Sequence, residues 1–399
     1  MIDLDIEWMH PDGAGAGRDA RRRTVRVPGA VVGDRARVTL VDPEARAPEG
    51  RLIELLSPSP GRRAPPCPDD DACGGCDLSA LTPDARRAAL AAMIRFAWDL
   101  PADPVVEAPE RELGRRARVE LTVADGQIGY RAARGHALVP IRGCAIARPE
   151  VEAGISAMRA VLAAHPTLPA DRVAIRSDGA RVMFHLHSTA AWSAADRAAV
   201  APLGAVALDG RALHGDPVLQ IPVAGLRLRA GPSAFYQVDL ALNERMVAAV
   251  IAAIVEIRAE RVVDLYAGIG NLGLPVAATG CPVLAVESFA SAVEDLRATV
   301  DAHGLRNVRA LAIDARKFDP SREAFDAVIL DPPRAGAGDV LVRALRNRPR
   351  RAVLLSCDPL AGARDVRAAK AAGYRVTSVR CFDLFPDTRH IEVLTVLDR

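Results

Sequence analysis

From about residue 231 to the C-terminus, apolar strand-like segments alternate with amphipathic helical segments. The strand-like segments are VVDLY, PVLAVE, VRALAID, FDAVILD and AVLLSC. Parallel strands need long crossover connections, so this alternation predicts a doubly wound α/β sheet. In such sheets ligands bind outside the carboxyl ends of the strands. The residues that end these strands are therefore the first candidates for a functional site.

The first half of the chain predicts mainly β-structure. Residues 1–62 alternate apolar and polar residues between turn signals such as Pro28-Gly29, as hairpins do. A unit of this size suggests a small OB-like β-barrel, a fold that often binds nucleic acid, although a β appendage without a ligand fits equally well. Residues 63–230 contain a cysteine-rich loop and further strand patterns. We therefore predict an OB-like barrel at 1–62, a β-rich central domain at 63–230 and the α/β domain at 231–399.

Composition excludes little. The 399 residues carry a formal net charge of only +2, so overall charge is weak support for nucleic-acid binding. The N-terminus lacks a basic region followed by an apolar one, and no run is long and apolar enough to span a bilayer. We therefore expect a cytoplasmic, monomeric protein that does not bind membranes.

Three of the seven cysteines fall within ten residues. Cys67, Cys73 and Cys76 have the spacing C-x5-C-x2-C, and Cys144 is a fourth candidate from the next segment. In a reducing compartment such a local cluster indicates metal binding or catalysis. Four thiolates suit structural zinc or an iron–sulfur cluster, and the spacing does not separate the two. Unligated thiols in an exposed loop would be an oxidation liability.

A glycine turn follows the first strand of the α/β domain, in DLYAGIGNLGLP. Gly268 and Gly270 permit a tight turn, but this signal is shared by dinucleotide enzymes and methyltransferases. Glu287, Asp314 and Asp331 end the next three strands, where an acid can bind a ribose diol. Singly, each could be a solvated or capping acid. Together they favour a nucleoside ligand of little negative charge, S-adenosylmethionine rather than NAD.

Cys357 ends a further apolar strand and is followed by Asp358-Pro359. A small apolar thiol is a common core residue. At the carboxyl end of a parallel strand, however, it stands where open α/β sheets bind their ligands. This cysteine and the DPPR segment that contains Asp331 argue against a dehydrogenase.

Taken together, these segments resemble the bacterial RNA 5-methyluridine methyltransferases that contain an iron–sulfur cluster, chiefly those acting on 23S rRNA. The matching segments are PPCPDDDACGGCDLSAL, GCAIA, AFYQVDLALNERMV, DLYAGIGNLGLPVA, DPPRAG, LLSCDPLAGARD and DLFPDTRHIEVLTVL. They cover nearly the whole chain in the family's order. The resemblance implies a Rossmann-like class I methyltransferase domain, a TRAM-type RNA-binding domain at the N-terminus, and S-adenosylmethionine-dependent methylation of uridine C5 in RNA.

The resemblance also implies roles for single residues. Cys357 matches the nucleophile that forms a covalent adduct with uracil C6, and Glu392 matches the base that removes the C5 proton. The positions that match cofactor contacts are Gln237, Tyr266, Asn271, Glu287, Asp314 and Asp331. The positions that match the ligands of a [4Fe-4S] cluster are Cys67, Cys73, Cys76 and Cys144.

The chain departs from the family at four of these segments. Asp358 and Asp239 stand where Asn is usual, Asp77 where Gln is frequent, and Ala267 where Cys is common. An acid beside Cys357 would raise the pKa of the thiol. We therefore expect Asp358 to slow the reaction without changing its class.

Three other functions compete with uracil methylation of 23S rRNA. RNA cytosine-C5 methyltransferases typically have a second cysteine in the fourth-strand motif, and DPPR has none. A tRNA uridine-C5 methyltransferase is a closer alternative, but bacterial members commonly lack the cysteine cluster and the N-terminal β domain. A non-catalytic RNA-binding protein on this scaffold is the third, and the presence of both Cys357 and Glu392 argues against it.

Overall fold

The N-terminal part of the chain forms a small β-rich unit. The computed structural model describes residues 1–70, 72–133 and 135–399. The first six strands are β1 Ile2–Asp5, β2 Trp8–Met9, β3 Gly15–Arg18, β4 Thr24–Val27, β5 Arg35–Leu40 and β6 Gly50–Ser57. They form two three-stranded antiparallel sheets, β1-β5-β6 and β2-β3-β4. Alternating side chains such as Leu4, Val25 and Val38 are buried between them.

The central part is dominated by a seven-stranded sheet with the order β10-β9-β8-β11-β12-β13-β14. The elements are α1 Pro83–Trp98, β7 Val105–Glu107, β8 Arg118–Ala124, β9 Gln127–Arg131, β10 Leu138–Pro140, α2 Pro149–Ala164, β11 Arg172–Ser177, β12 Val182–His187, α3 Ala194–Ala199, β13 Val206–Leu208, β14 Arg211–His214, β15 Leu219–Val223 and β16 Leu226–Ala230. Helix α2 packs on one face of this sheet through apolar residues including Ile155 and Met158.

The C-terminal part contains the predicted alternation of helices and strands. The elements are α4 Leu240–Glu256, β17 Val262–Leu265, α5 Gly273–Ala278, β18 Val283–Glu287, α6 Ala290–His303, β19 Val308–Ala312, β20 Ala327–Leu330, α7 Asp339–Arg346, β21 Arg351–Ser356, α8 Pro359–Ala371, β22 Arg375–Phe382 and β23 Glu392–Asp398. The strands β17 to β21 are parallel and β23 is antiparallel to β21. The prediction of a Rossmann-like sheet is confirmed.

This sheet has eight strands, in the order β19-β18-β17-β20-β21-β23-β22-β7. Its last strand, β7, comes from residues well before 231 and pairs in parallel with β22. Helix α1 also packs on this domain, against α8. The pairing of β7 could not be predicted from the sequence, because a three-residue edge strand has no periodicity of its own. Among the described residues, no helix is long and apolar enough to cross a membrane.

Candidate active site

The candidate site lies at the carboxyl edge of the eight-stranded sheet. The order of the strands reverses between β17 and β20, which opens a crevice at that edge. Tyr266 follows β17, Asp331 follows β20 and Cys357 follows β21, while Glu392 begins the antiparallel strand β23. An antiparallel strand begins where its neighbour ends, so these side chains reach the same edge.

The glycine turn borders this crevice. Gly268 and Gly270 have positive φ angles of +55° and +93°, a region that glycine occupies without steric cost. A Cβ at Gly268 would meet nothing within 4 Å, so this side of the turn faces open space. The carboxylate of Glu287, which is 8% exposed, accepts a hydrogen bond from the Gly268 N–H at 2.9 Å. The turn and the acid that was predicted for it therefore form one unit.

Two amides are among the predicted cofactor contacts. Gln237 is 2% exposed, and its Oε1 has no partner among the described residues. A buried carbonyl without a donor is costly and points to a missing ligand. Asn271 exchanges side-chain hydrogen bonds of 2.8 and 3.0 Å with Asn243 of α4. The sequence analysis missed Asn243, which looks like an ordinary residue of a helix.

Asp314 and Tyr266 are placed differently from the other predicted contacts. Asp314 forms an ion pair of 2.5 Å with Arg316, which lowers the pKa of its carboxyl to about 2. Tyr266 has a positive φ of 65°, and burial together with Asp314 raises the pKa of its phenol. Asp314 is thus already bound by a cation of its own loop, and its role toward a cofactor stays a prediction.

Three carboxyl groups are buried in the crevice. Asp264 is 1% exposed and neither of its oxygens has a hydrogen-bond partner among the described residues. Burial and the charge of Asp331 raise the pKa of Asp264, and the same two causes raise that of Glu392. Burial also raises the pKa of Asp331. Without a ligand, the crevice therefore favours the protonated acids.

Cys357 and Glu392 lie near each other. In the antiparallel pair of β21 and β23, Ser356 is paired with Val393. Cys357 and Glu392 each lie one residue beyond this pair, and the charge of Glu392 acts on the thiol of Cys357. Glu392 is 3% exposed, and its Oε2 has no partner in the part of the chain that is described. A thiol and a carboxyl group are thus near each other at the crevice, and their roles as nucleophile and base stay predictions.

The surroundings of Cys357 hold it in the thiol form. Burial raises its pKa to about 12, and the nearby Glu392 and Asp331 add to this, while Arg334 lowers it. A cation placed in the crevice would lower the pKa of this thiol and of the acids together.

Asp358 does not act on the thiol as we expected. Its carboxylate accepts hydrogen bonds from Leu360 N at 3.0 Å and Ala361 N at 2.8 Å. It is the N-cap of α8, a place that suits Asp as well as Asn. The acids that raise the pKa of Cys357 are Glu392 and Asp331, and the effect of Asp358 on the rate stays a prediction.

Asp239 and Asp77, the other two acids that replace a residue usual in the family, also have hydrogen-bond and ion-pair partners. Asp239 caps α4 by accepting from Leu242 N at 3.0 Å, and it forms a buried ion pair of 2.6 Å with Arg115. Asp77 accepts a hydrogen bond from the backbone N–H of Arg389 at 2.7 Å and pairs with its side chain. An arginine partner therefore accompanies each of these acids in this chain.

The four predicted cysteine ligands line one small cavity. Cys67, Cys73, Cys76 and Cys144 all border it, and all four are free thiols. Sγ of Cys73 accepts a hydrogen bond from Gly75 N at 3.4 Å. Burial raises the pKa of Cys73, and the charges of Cys144 and Cys67 add to this. Several thiols that converge in a buried place fit a cationic group, since a cation would favour their thiolate forms.

The metal centre itself stays a prediction. Within residues 1–70, 72–133 and 135–399, no group of three or more His, Cys, Asp or Glu side chains is arranged to hold a metal ion. Asp71, inside the cysteine loop, lies outside the described residues. The cavity brings the four cysteines together, and the identity of its occupant belongs to the proposals below.

A basic cleft adjoins the crevice, with a volume of about 680 Å³. It lies between the central sheet and residues 385–390, and its arginines are Arg116, Arg118, Arg176, Arg334 and Arg389. The guanidinium of Arg118 stacks 4.3 Å from the ring centre of Phe235, which is 53% exposed. Burial, with Arg176 nearby, lowers the pKa of Arg118 to about 10. A desolvated cation beside an exposed ring suits a nucleic-acid strand.

Two exposed apolar residues near the crevice escaped the sequence analysis. Phe289 is 73% exposed and Ile313 is 37% exposed, and they follow the ends of β18 and β19. Glu287 accepts a hydrogen bond from the Phe289 N–H at 2.8 Å. The available signal was an apolar residue close to each strand-end acid, since Phe289 comes two residues after Glu287 and Ile313 directly precedes Asp314.

Known proteins resemble this chain over most of its length. Residues 216–399 match the family described as tRNA (Uracil-5-)-methyltransferase. The 23S rRNA (uracil(1939)-C(5))-methyltransferase RlmD of Pectobacterium atrosepticum is 33% identical, over 99% of this chain and 93% of the relative. The RlmD of Salmonella typhi is 31% identical, over 100% of this chain and 96% of the relative.

A solved structure shares the fold over the whole chain. The tRNA (uracil-54, C5)-methyltransferase of Pyrococcus abyssi, in complex with S-adenosyl-L-homocysteine, has a TM-score of 0.82 and 20% identity, and the match covers 99% of this chain and 100% of that one. The fold is therefore that of a uracil-C5 methyltransferase, and the full-length relatives are enzymes of the same kind. The chain belongs to the RNA 5-methyluridine methyltransferases and is an RNA (uracil-C5)-methyltransferase.

Proposed function

We propose that this enzyme transfers a methyl group from S-adenosylmethionine to C5 of a uridine in 23S rRNA. The target would be the base that corresponds to uracil(1939) in the names of its relatives. The observation that carries the proposal is that Cys357 and Glu392 directly follow and precede the paired residues Ser356 and Val393, close enough for the charge of Glu392 to raise the pKa of the thiol. A nucleophile, a base and a donor site are thereby adjacent.

The chemistry explains why these groups are needed. Uracil C5 is a poor nucleophile, so the thiolate of Cys357 first adds to C6 and forms an enolate. C5 of the enolate then attacks the sulfonium methyl, and S-adenosylhomocysteine is the leaving group. Glu392 accepts the C5 proton as a general base. The C6–S bond breaks, which restores the double bond of the ring and the thiolate.

The donor itself helps to form the thiolate. Without a ligand, the pKa of Cys357 is about 12 and the neighbouring acids favour their protonated forms. The positive sulfonium of S-adenosylmethionine lowers the pKa of each of these groups. Arg334 acts on Cys357 in the same direction. We therefore infer that the donor binds before the thiolate adds to the ring.

The RNA strand would occupy the basic cleft. A paired base is out of reach, so the target uridine must be single-stranded or flipped out. Arg334 lines this cleft and also acts on Cys357, which supports a path from the cleft to the nucleophile. Gly13 of the N-terminal β unit lies against Arg389 of the cleft, which supports an RNA-binding role for residues 1–62.

We also propose that the cysteine cavity binds a [4Fe-4S] cluster. Its ligands would be Cys67, Cys73, Cys76 and Cys144, and their convergence on one cavity supports this. When bound, such a cluster supplies a cross-link between thiolates and a redox centre. No step of methyl transfer needs it. Iron, sulfide and zinc contents of anaerobically purified protein distinguish a cluster from structural zinc, and Cys73→Ala should lose the metal.

Transcripts test the function and its target. With S-adenosylmethionine, a 23S rRNA fragment should gain 5-methyluridine and a tRNA transcript should not. The reverse result would assign the enzyme to tRNA, the alternative target. Mass mapping of 23S rRNA from a strain that lacks this protein should show one unmodified uridine.

The nucleophile has its own test. A transcript with 5-fluorouridine at the target should form a covalent adduct at Cys357, and Cys357→Ala should form none. Cys281→Ala is the matched control, because Cys281 is a free thiol on another part of the protein. Methylation by Cys357→Ala would contradict the covalent mechanism.

A further inference from the structure

Helix α1 contacts the loop that contains Cys357 and the connection that leads to Glu392. This helix precedes residues 216–399, the range that matches the family. Its Arg86 is 0% exposed. The Nη1 of Arg86 lies 2.5 Å from Asp387, and Nη2 lies 2.5 Å from Asp383. Both acids belong to the connection between β22 and β23, and Glu392 is the first residue of β23. One end of α1 therefore holds the connection that leads to Glu392.

The other end of α1 holds the nucleophile loop. Trp98, the last residue of the helix, is 3% exposed. Its Nε1–H donates a hydrogen bond of 2.8 Å to the carbonyl of Pro359. Pro359 opens α8 two residues after Cys357. A Cβ at Gly362 of α8 would come within 2.5 Å of the Trp98 ring, so this contact is closely packed.

The connection to Glu392 depends on such contacts. Residues 383–391 form neither helix nor strand, so the backbone pattern alone does not fix their position. Besides Arg86, Asp387 pairs with Arg63 at 2.5 Å, and its carbonyl accepts from Asp77 N and Leu78 N. Arg63, Asp77 and Leu78 all precede the strands of the eight-stranded sheet in the sequence. The ion pairs of Arg86 are the most deeply buried of these contacts.

We propose that Arg86 and Trp98 are positioning residues, and that α1 sets the separation of Cys357 and Glu392 from outside the sheet. The inference rests on the proposed roles of those two residues. Trp98 holds the loop of Cys357, which forms the bond to C6. Arg86 holds the connection to Glu392, which later removes the C5 proton. Each residue therefore affects a different step, which a purely structural role would not do.

The test of Arg86 uses the order of the two steps. Glu392 acts after methyl transfer, so a misplaced base leaves the methylated ring attached to Cys357. With ordinary uridine RNA, Arg86→Gln should accumulate this adduct on denaturing gels. Its kcat should fall about tenfold, a part of the roughly 10²- to 10⁴-fold that a general base contributes, and KM should not change. Arg86→Lys keeps the charge but not the two-acid fork, and should show a smaller effect.

The test of Trp98 uses the first step. Trp98→Phe removes the N–H donor and keeps an aromatic ring. Its adduct with 5-fluorouridine RNA should form about tenfold more slowly, as expected for a small displacement of a reacting group. RNA affinity should be unchanged, and no adduct should accumulate with ordinary RNA.

Two controls match these variants. Arg95→Gln removes another arginine of α1, one that pairs with Asp103 at the surface. Trp192→Phe removes a buried indole N–H that has no partner among the described residues. Both should behave as wild type.

The outcomes separate the inference from the proposed function. If wild type forms no 5-fluorouridine adduct at Cys357, the proposed function fails. If wild type forms it, and Arg86→Lys and Trp98→Phe match the controls in both steps, the inference is overturned and the function stands. Circular dichroism identifies variants that do not fold. Should Arg86→Gln be one, Arg86→Lys and Trp98→Phe decide the matter.

Discussion

Two groups of buried acids in this protein have opposite surroundings. In the crevice, Asp264, Asp331 and Glu392 form no ion pair with a described residue. Around α1, four carboxylates and four arginines are interleaved. The members of this ionic network are Arg63, Arg86, Arg87, Arg115, Glu112, Asp239, Asp383 and Asp387.

The difference separates a binding site from a structural network. A buried charge is costly unless a partner compensates it. The network supplies its own cations, although burial still raises the pKa of Asp383 against the effect of Arg86 and Arg115. In the crevice Arg334 acts against the raised pKa of Glu392 without forming an ion pair, and burial shifts the pKa values of Asp264, Asp331 and Glu392 toward the protonated forms. Unpaired acids therefore indicate the donor site, and paired acids indicate the support around it.

The largest effect should come from the crevice and should concern activity. Glu392→Gln removes the proposed base, which is also a buried acid whose pKa is raised. Methylation should fall about 10²- to 10⁴-fold, while the free energy of unfolding stays equal or rises. Rate measurements and urea unfolding on the same preparation check both. A strongly destabilised Glu392→Gln protein would mean that this acid belongs to the structural group.

The network should respond in the opposite way. Asp387→Asn leaves Arg86 and Arg63 short of a carboxylate. Breaking a buried ion pair costs roughly 3–5 kcal/mol, so the melting temperature should fall clearly. Asp103→Asn, at the exposed ion pair with Arg95, is the control and should change little. Equal stability of the two variants would show that the network is not structural.

The pH dependence of stability should distinguish the two groups next. The raised pKa of Asp264 means that the folded protein binds a proton that the unfolded chain has lost above about pH 4. Its contribution to stability is complete below that pH and is lost as the pH rises, by up to about 1.4 kcal/mol per unit. Asp264→Asn should remove this slope above about pH 4 in ligand-free urea unfolding. Identical slopes in both proteins would contradict the raised pKa.

The smallest effect should be at the N-cap of α8. Asp358→Asn restores the usual residue of the family at a position where Asn caps as well as Asp, so stability should change by only a few tenths of a kcal/mol. The rate of adduct formation at Cys357 should be unchanged, since Glu392 and Asp331 are the acids that raise the pKa of the thiol. Markedly faster adduct formation by Asp358→Asn would support the expectation that Asp358 slows the enzyme.

The crevice could be predicted from sequence because each of its parts follows a strong local pattern. A strand end specifies the place of Glu287, Asp331 and Cys357 without knowledge of the rest of the fold. The ion pair of Asp314 with Arg316 was harder to predict from the sequence, because it depends on how a short loop turns back on itself.

The network could not be predicted in this way. Arg86 and Asp387 are 301 residues apart in the chain, and nothing in the neighbourhood of either one distinguishes a buried ion pair from a solvated surface charge. The role of Asp239 was hidden for the same reason, since its partner Arg115 lies 124 residues away. Only the packing of α1 and its neighbours on the C-terminal domain brings these residues together.

The eighth strand limits how this enzyme can have been assembled in evolution. Since β7 covers the outer edge of β22, a catalytic fragment cut at residue 231 would end in an open strand edge, which invites aggregation. Fusion of that fragment to a different RNA-recognition module would expose the same edge. Gene rearrangements that preserve the catalytic half must therefore carry residues 83–107 along with it.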